Sequence, residues 1–170
     1  VMKDGFTLVE TLVVVAITLF LSGILLTYNR STDSQVVLAA EQARVAGVLF
    51  RAKSFALQRS IREGSVTPCG FGVLFESPRT MTLFQDLPPA ESDCGASNGL
   101  YDAGEEIEEL VLNPRVEIYS FNGVPLTQAS TFFKSPYLET EGAGTIAIRL
   151  GGTTEERTVV VSEGGGISAP

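Results

Sequence analysis

The sequence predicts an α+β protein, a long N-terminal α-helix whose second half packs on an antiparallel β-sheet or small β-sandwich. Three observations carry that expectation. From Thr11 to Asn29 there are 19 consecutive uncharged residues, most of them Leu, Val, Ile or Phe, the pattern of a membrane or signal-type helix. Between Gln35 and Glu63, Val45, Leu49, Ala52 and Ala56 recur at spacings of four, three and four, which places them on one helix face. After Gly64 the chain turns to short β-type runs punctuated by Gly, Pro, Asn and Asp, the pattern of an antiparallel sheet.

Taken in order, residues 1–5 form a short polar leader containing Lys3 and Asp4. Residues 6–29 form the apolar segment. Its 24 residues make about 36 Å of helix at about 1.5 Å per residue, enough for a hydrocarbon core of about 30 Å. Gly23 is the one glycine in it and there is no proline. Residues 30–64 form an amphipathic helix. Its entry, Asn29 to Ser34, is rich in helix-cap residues, so either the first helix frays there or a second begins at Thr32 or Asp33. Gly64 is the expected stop. Residues 65–170 form a β-rich head with strands expected at 71–75, 80–84, 107–112, 116–121, 145–150 and 158–161. Turn residues such as Asn122-Gly123, Gly142 and Gly151-Gly152 separate them. No internal repeat is present.

The net charge of −8 is uneven: residues 1–65 sum to +2 and residues 66–170 to −10. An acidic head is a poor partner for nucleic acid, which needs clustered Lys and Arg. The chain has no His, so the commonest general base and zinc ligand are missing. No nucleophile-elbow, phosphate-loop or zinc-protease motif occurs either. The sequence therefore reads as a non-enzyme.

The chemistry sits in Gly5-Phe6-Thr7-Leu8-Val9-Glu10, directly ahead of the apolar run. A carboxylate on a membrane helix costs about 2.5–3.5 kcal/mol at mid-bilayer and less near the interface, so Glu10 needs a partner. An ordinary signal peptide is cut after its apolar region, whereas Gly5 precedes it. A cut after Gly5 would leave the apolar segment on the mature chain. It would also expose a new α-amine on Phe6, cationic near neutral pH because its reference pKa is about 7.7–8.0. The alternative is a plain signal anchor with Glu10 among lipid headgroups.

Over residues 5–26 this string resembles the type IV prepilin family, which includes the type II secretion pseudopilins and whose signature is G-F-T-L-x-E before a hydrophobic helix. The resemblance implies cleavage by a prepilin peptidase between Gly5 and Phe6 and N-methylation of Phe6. It also implies pairing of Glu10 with the N-terminal amine of a neighbouring subunit. The implied fold is the pilin fold. The implied partners are other pilin or pseudopilin subunits, in a homo- or hetero-filament, and an inner-membrane assembly platform. The implied location is the cytoplasmic (inner) membrane, crossed once with the head outside the cytoplasm, and then an extracellular or periplasmic filament. Ala43-Arg44, Arg51 to Ser54, Cys69 to Val73, Leu83 to Asp86, Tyr101 to Glu105 and Val159 to Gly166 are similar to the GspH/FimT-like group. The family also contains minor pilins that act as adhesins or in DNA uptake, the alternative function class.

Cys69 and Cys94 close a loop of 26 residues. Outside the cytoplasm a disulfide is expected, contributing about 3.5 kcal/mol on a chain-entropy model; two reduced buried thiols are the other reading. Asp86, Glu91, Asp93, Asp102, Glu105 and Glu106 gather oxygens, as calcium loops of some pseudopilins do. The spacing of an EF-hand is missing, so a solvated acidic loop is preferred, with Asp86, Asp93, Asp102 and Glu105 the candidates were calcium held. No other cofactor is expected. Glu105, Glu106, Glu108 and Glu109 likewise read as a solvated face. Arg44, Arg51, Lys53, Arg59 and Arg62 line the helix beside Phe50 and Phe55. They are expected to meet an acidic surface on an adjacent subunit rather than DNA.

Overall fold

Helix α1 spans Leu8–Gln58. No proline falls within it, so no position lacks a backbone donor. The cap-like cluster Asn29 to Ser34 neither ends one helix nor starts another; it is α-helical throughout. Such residues cost at most about 0.7 kcal/mol each relative to alanine inside a helix, too little to break one that is favoured on both sides.

The computed structural model describes residues 7–58, 67–76, 78–88, 94, 97–135 and 139–170, with the side chains of 25–32 outside that description. The expected helix stop at Gly64 lies outside the described residues. Residues 1–37 and 38–170 form two compact units. In the first, every described side chain from Thr7 to Ile24 is exposed, with Leu8 at 81% and Phe20 at 71%. Among the described residues no helix is long and apolar enough to cross a membrane. Of the expected span, Phe6 and the side chains of 25–29 fall outside that description.

In the second unit the helix buries one stripe, Leu38, Gln42, Val45, Leu49, Ala52 and Ala56, at the alternating spacing of four and three that keeps one face inward. The stripe packs on the β-head. The Phe55 ring lies 5.6 Å from that of Phe71 on the first strand, and the Ser135 hydroxyl donates to the Ala56 carbonyl at 2.8 Å. Gln42, the one polar member of the stripe, spends its whole amide. Its Nε2 donates to the carbonyls of Thr158 at 2.8 Å and Pro170 at 3.1 Å, and its Oε1 accepts from Arg157 at 3.3 Å. A buried amide left unpaired would be costly.

Among the described residues the head holds ten strands: β1 (Gly70–Glu76), β2 (Thr80–Asp86), β3 (Glu106–Val111), β4 (Val116–Phe121), β5 (Val124–Pro125), β6 (Gln128–Lys134), β7 (Thr140–Glu141), β8 (Gly144–Leu150), β9 (Glu156–Val161) and β10 (Ile167–Ser168). They form two five-stranded sheets, ordered β3-β2-β1-β6-β7 and β10-β9-β8-β4-β5, and all pairings described are antiparallel. The six expected strands are present. Strand β6, absent from the sequence expectation, is central to the first sheet. It pairs with β1 along its whole length, with Phe71 opposite Phe133 and Val73 opposite Thr131. Asn122 and Gly123 join β4 to β5 with φ of 53° and 76°, the left-handed pair that a two-residue hairpin requires.

Strand β1 is buried on both faces. Phe71, Val73 and Phe75 occupy one, while Gly70, Gly72 and Leu74 alternate onto the other. On that second face Leu74, Phe84 and Phe132 cluster, with Tyr101 packed against them. The Phe84 and Phe132 rings stack with centroids 6.4 Å apart, and Tyr101 meets Phe84 edge-on at 5.8 Å. The glycines make room for this: a Cβ on Gly70 would fall on the Phe132 ring, and one on Gly72 on the Phe84 ring and 2.9 Å from the Thr131 carbonyl oxygen. Gly72→Ala should therefore lower stability by about 1–3 kcal/mol, the range for overpacking a filled core. A reduced urea midpoint for the full chain in detergent micelles is the expected reading, and an unchanged midpoint contradicts the packing.

Candidate functional site

Helix α1 begins just after Thr7, and that start is built as a reciprocal cap. The backbone N–H of Glu10 donates to the Thr7 hydroxyl at 3.3 Å, and the backbone N–H of Thr7 donates to Glu10 Oε2 at 3.4 Å. This is the capping box, in which a threonine N-cap and a glutamate three residues on satisfy two donors that a helix start otherwise leaves open. The carboxylate also lies at the positive end of the helix dipole. The signal was present in the sequence as Thr7-x-x-Glu10, but Glu10 draws attention first as a charge ahead of an apolar run. Gly5 and Phe6, the expected cleavage and methylation positions, lie outside the described residues.

The basic residues of the helix meet their own head. Arg51 pairs with Glu108 of β3 at 2.5 Å. Arg44 donates to the Val111 carbonyl at 2.9 Å and lies 3.7 Å from Glu41. Lys53 donates to the Gly165 carbonyl at 2.8 Å. Arg51 thus finds an acidic partner within its own head, and Arg44 and Lys53 find head carbonyls, contacts that the expectation of an acidic surface on an adjacent subunit did not include. Arg59 and Arg62 lie outside the described residues.

The acidic loop between β2 and β3 is fastened at several points. Cys69, buried at the start of β1, is disulfide-bonded to Cys94 with Cα atoms 5.3 Å apart. Asp86, 2% exposed, accepts from the Ser97 hydroxyl and, at 2.9 Å, from the Gly99 N–H. Glu105, 7% exposed, accepts from the Leu87 N–H at 2.8 Å with Oε1 and from the Asp102 N–H at 2.9 Å with Oε2. Asn98 donates to Asp102 at 3.1 Å, and Tyr101 donates to Glu106 at 2.9 Å. Asp86, Asp102 and Glu105, expected as oxygen ligands or a solvated loop, instead hold the loop's own donors. Among the described residues no group of three or more His, Cys, Asp or Glu is placed to hold a metal ion. Asp93 and Glu91 lie outside the described residues. Glu105 departs from the expected solvated face, being buried on backbone N–H groups; Glu108 pairs with the helix yet keeps 40% side-chain exposure, and Glu106 and Glu109 are exposed.

The described residues combine a glutamate-containing cap at the start of an apolar helix with a head of two antiparallel sheets, an α+β arrangement consistent with a pilin. Residues 2–26 match the model of the prokaryotic N-terminal methylation motif. That match supports the type IV pilin and pseudopilin family, and with it a membrane-anchored precursor that a prepilin peptidase processes and that assembles with other pilins. No curated protein and no solved structure matches the chain.

Burial is the largest cause that raises the pKa of Glu105 above its ordinary 4.5; the Leu87 and Asp102 N–H groups oppose it, and the nearby Asp86 and Asp102 charges push the same way as burial. Between about 4.5 and the raised value, the folded chain binds more protons than the unfolded one. Stability contributed here is thus greatest in acid and falls as pH rises through that window. Glu105→Gln, which cannot titrate, should flatten that part of the stability–pH curve. Urea unfolding at pH 4 to 7 checks it, and an unaltered slope contradicts the assignment.

Proposed function

We propose that the chain is a structural subunit of a type IV pilus or a type II secretion pseudopilus. A prepilin peptidase cuts between Gly5 and Phe6 and methylates the new terminus on Phe6. Residues 6–29 hold the precursor in the cytoplasmic membrane with the head outside the cytoplasm. The same segment packs among neighbouring helices once the inner-membrane platform moves the subunit into the filament. Glu10 pairs with the Phe6 α-amine of an adjacent subunit, and such a pair fixes axial register more than it adds net stability. The GspH/FimT-like group is the branch whose residues the head resembles.

The observation that carries this reading is Glu10 in a helix-opening cap, within the matched motif, ahead of apolar side chains that are exposed in the described chain. Each large one gains about 1.5–3 kcal/mol on leaving water. Lipid supplies that environment before assembly and other helices supply it afterwards, so one segment serves both states. The carboxylate is what distinguishes them, since it gains a fixed cation only in the second.

Gly5→Ala should leave residues 1–5 attached, seen as the unprocessed mass of the N-terminal peptide; normal processing contradicts the cleavage position. Glu10→Ala should be processed yet form at least tenfold fewer filaments by electron microscopy. Filaments in normal number would remove the register role of the carboxylate.

A further inference from the structure

The outer face of the first sheet carries a shallow pocket of about 250 Å³, lined by Leu74, Leu100, Tyr101, Gln128, Ala129 and Ser130. Pockets that enclose whole small molecules run about 300–1,000 Å³, so this one has room for a single side chain. Its floor is apolar. Leu74 belongs to the buried cluster with Phe84 and Phe132, and Tyr101 leans on that cluster from the loop, while Leu100 stands exposed at the mouth.

Strand pairing sets which charges surround it. Glu76 follows Leu74 on the same face of β1, opposite Gln128 of β6. On β2 the same face carries Thr82 and Phe84, which pair with Glu109 and Glu106 of β3. Glu141 of β7 pairs with Phe132. Among the described residues, the cation that the register places on this face is Lys134, opposite Gly70 at its far end. The Tyr101 hydroxyl holds Glu106 at the rim at 2.9 Å. The negative potential there is felt by that phenol, whose ionisation is opposed by its hydrogen bond to Glu106, by burial and by the charges of Glu106, Glu76 and Glu105.

We infer that this pocket is a docking point for a lysine or arginine side chain presented by a partner protein. The aliphatic stem lies on Leu74, Leu100 and the Tyr101 ring, and the cationic head meets Glu76 and Glu106. Long basic side chains bury their stems on apolar surface while keeping the charge at a polar rim, and an aromatic ring adds cation–π attraction. Complementary charge of this kind sets which partners dock and how fast they arrive. The pocket lies wholly in the head, so the inference stands whether or not the N-terminal segment builds a filament.

The test is a titration of the full ¹⁵N-labelled chain in micelles of an uncharged detergent. The probe is a six-residue peptide of alternating leucine and lysine with blocked ends. Amide shifts should move at Leu100, Tyr101 and residues 128–130, and the apparent Kd should rise severalfold between 20 and about 200 mM salt as screening sets in. A matched leucine–glutamate peptide should move none of them. The double variant Glu76→Gln, Glu106→Gln should bind at least tenfold more weakly. Gln128→Lys, an exposed position opposite Glu76, places a competing cation at the rim with Glu106 and Tyr101 intact, and should weaken binding similarly with the amide dispersion retained. Shifts centred elsewhere, equal binding of the acidic peptide, or wild-type affinity in Gln128→Lys would overturn the inference.

Discussion

The stripe from Leu38 to Ala56 is the contact to which the head's layout is tied. Its later members are small: Ala52 and Ala56 are fully buried, which lets the backbone approach β1 closely enough for Phe55 to reach Phe71 and Ser135 to reach the Ala56 carbonyl. Its earlier member Gln42 reaches the other sheet through Thr158 and the chain end through Pro170. One helix face thus touches both sheets, by apolar packing at one end and by a fully satisfied amide at the other. Replacing any of these small residues by a large one would separate layers that fit because the interior is filled.

Polar contacts along the helix have a different weight. Arg51 and Glu108 approach to 2.5 Å but keep side-chain exposures of 46% and 40%, and a pair so placed contributes about 0–1 kcal/mol. Arg44 and Lys53 bond to carbonyls of β3 and of the β9–β10 turn. Their value lies in orientation: cations on either flank of the buried stripe fix the rotation of the helix against an acidic head. In Arg51 and Glu108 a basic helix residue and an acidic head residue pair within one subunit.

The helix was legible because its signals are periodic and local. Charge-free length marked its first half and the four–three spacing its second. The six expected strands were legible from β-branched and aromatic runs between turns. Strand β6 was not, because Gln128, Ala129 and Ser130 are poor strand formers and Pro125 lies just before them. It is a strand because β1 on one side supplies its hydrogen bonds and Phe132 and Phe133 supply its packing, both long-range facts. The carboxylates were misjudged for a related reason. Composition cannot tell a solvated glutamate from one turned inward onto backbone N–H groups, and Glu105 does the latter through Leu87, eighteen residues away. Continuity of the helix past Asn29 to Ser34 was also hidden, since the same residues favour caps when a helix is short and cost little inside a long one.

The geometry at Glu10 sets how strongly that carboxylate seeks a cation. At mid-bilayer an ionised carboxylate costs about 2.5–3.5 kcal/mol on insertion scales, less toward the interface. The capping box returns part of it. A charge at the helix dipole is worth about 0.3–1 kcal/mol. Within one chain the carboxylate is held by Thr7, whose N–H and hydroxyl donate to Oε2 at 3.4 and 3.5 Å. On the proposed filament reading, a drier setting would turn the balance against a lone carboxylate, and a neighbouring α-amine would then be its favourable partner. On the same reading Thr7 would hold the carboxylate before assembly and the α-amine would hold it afterwards.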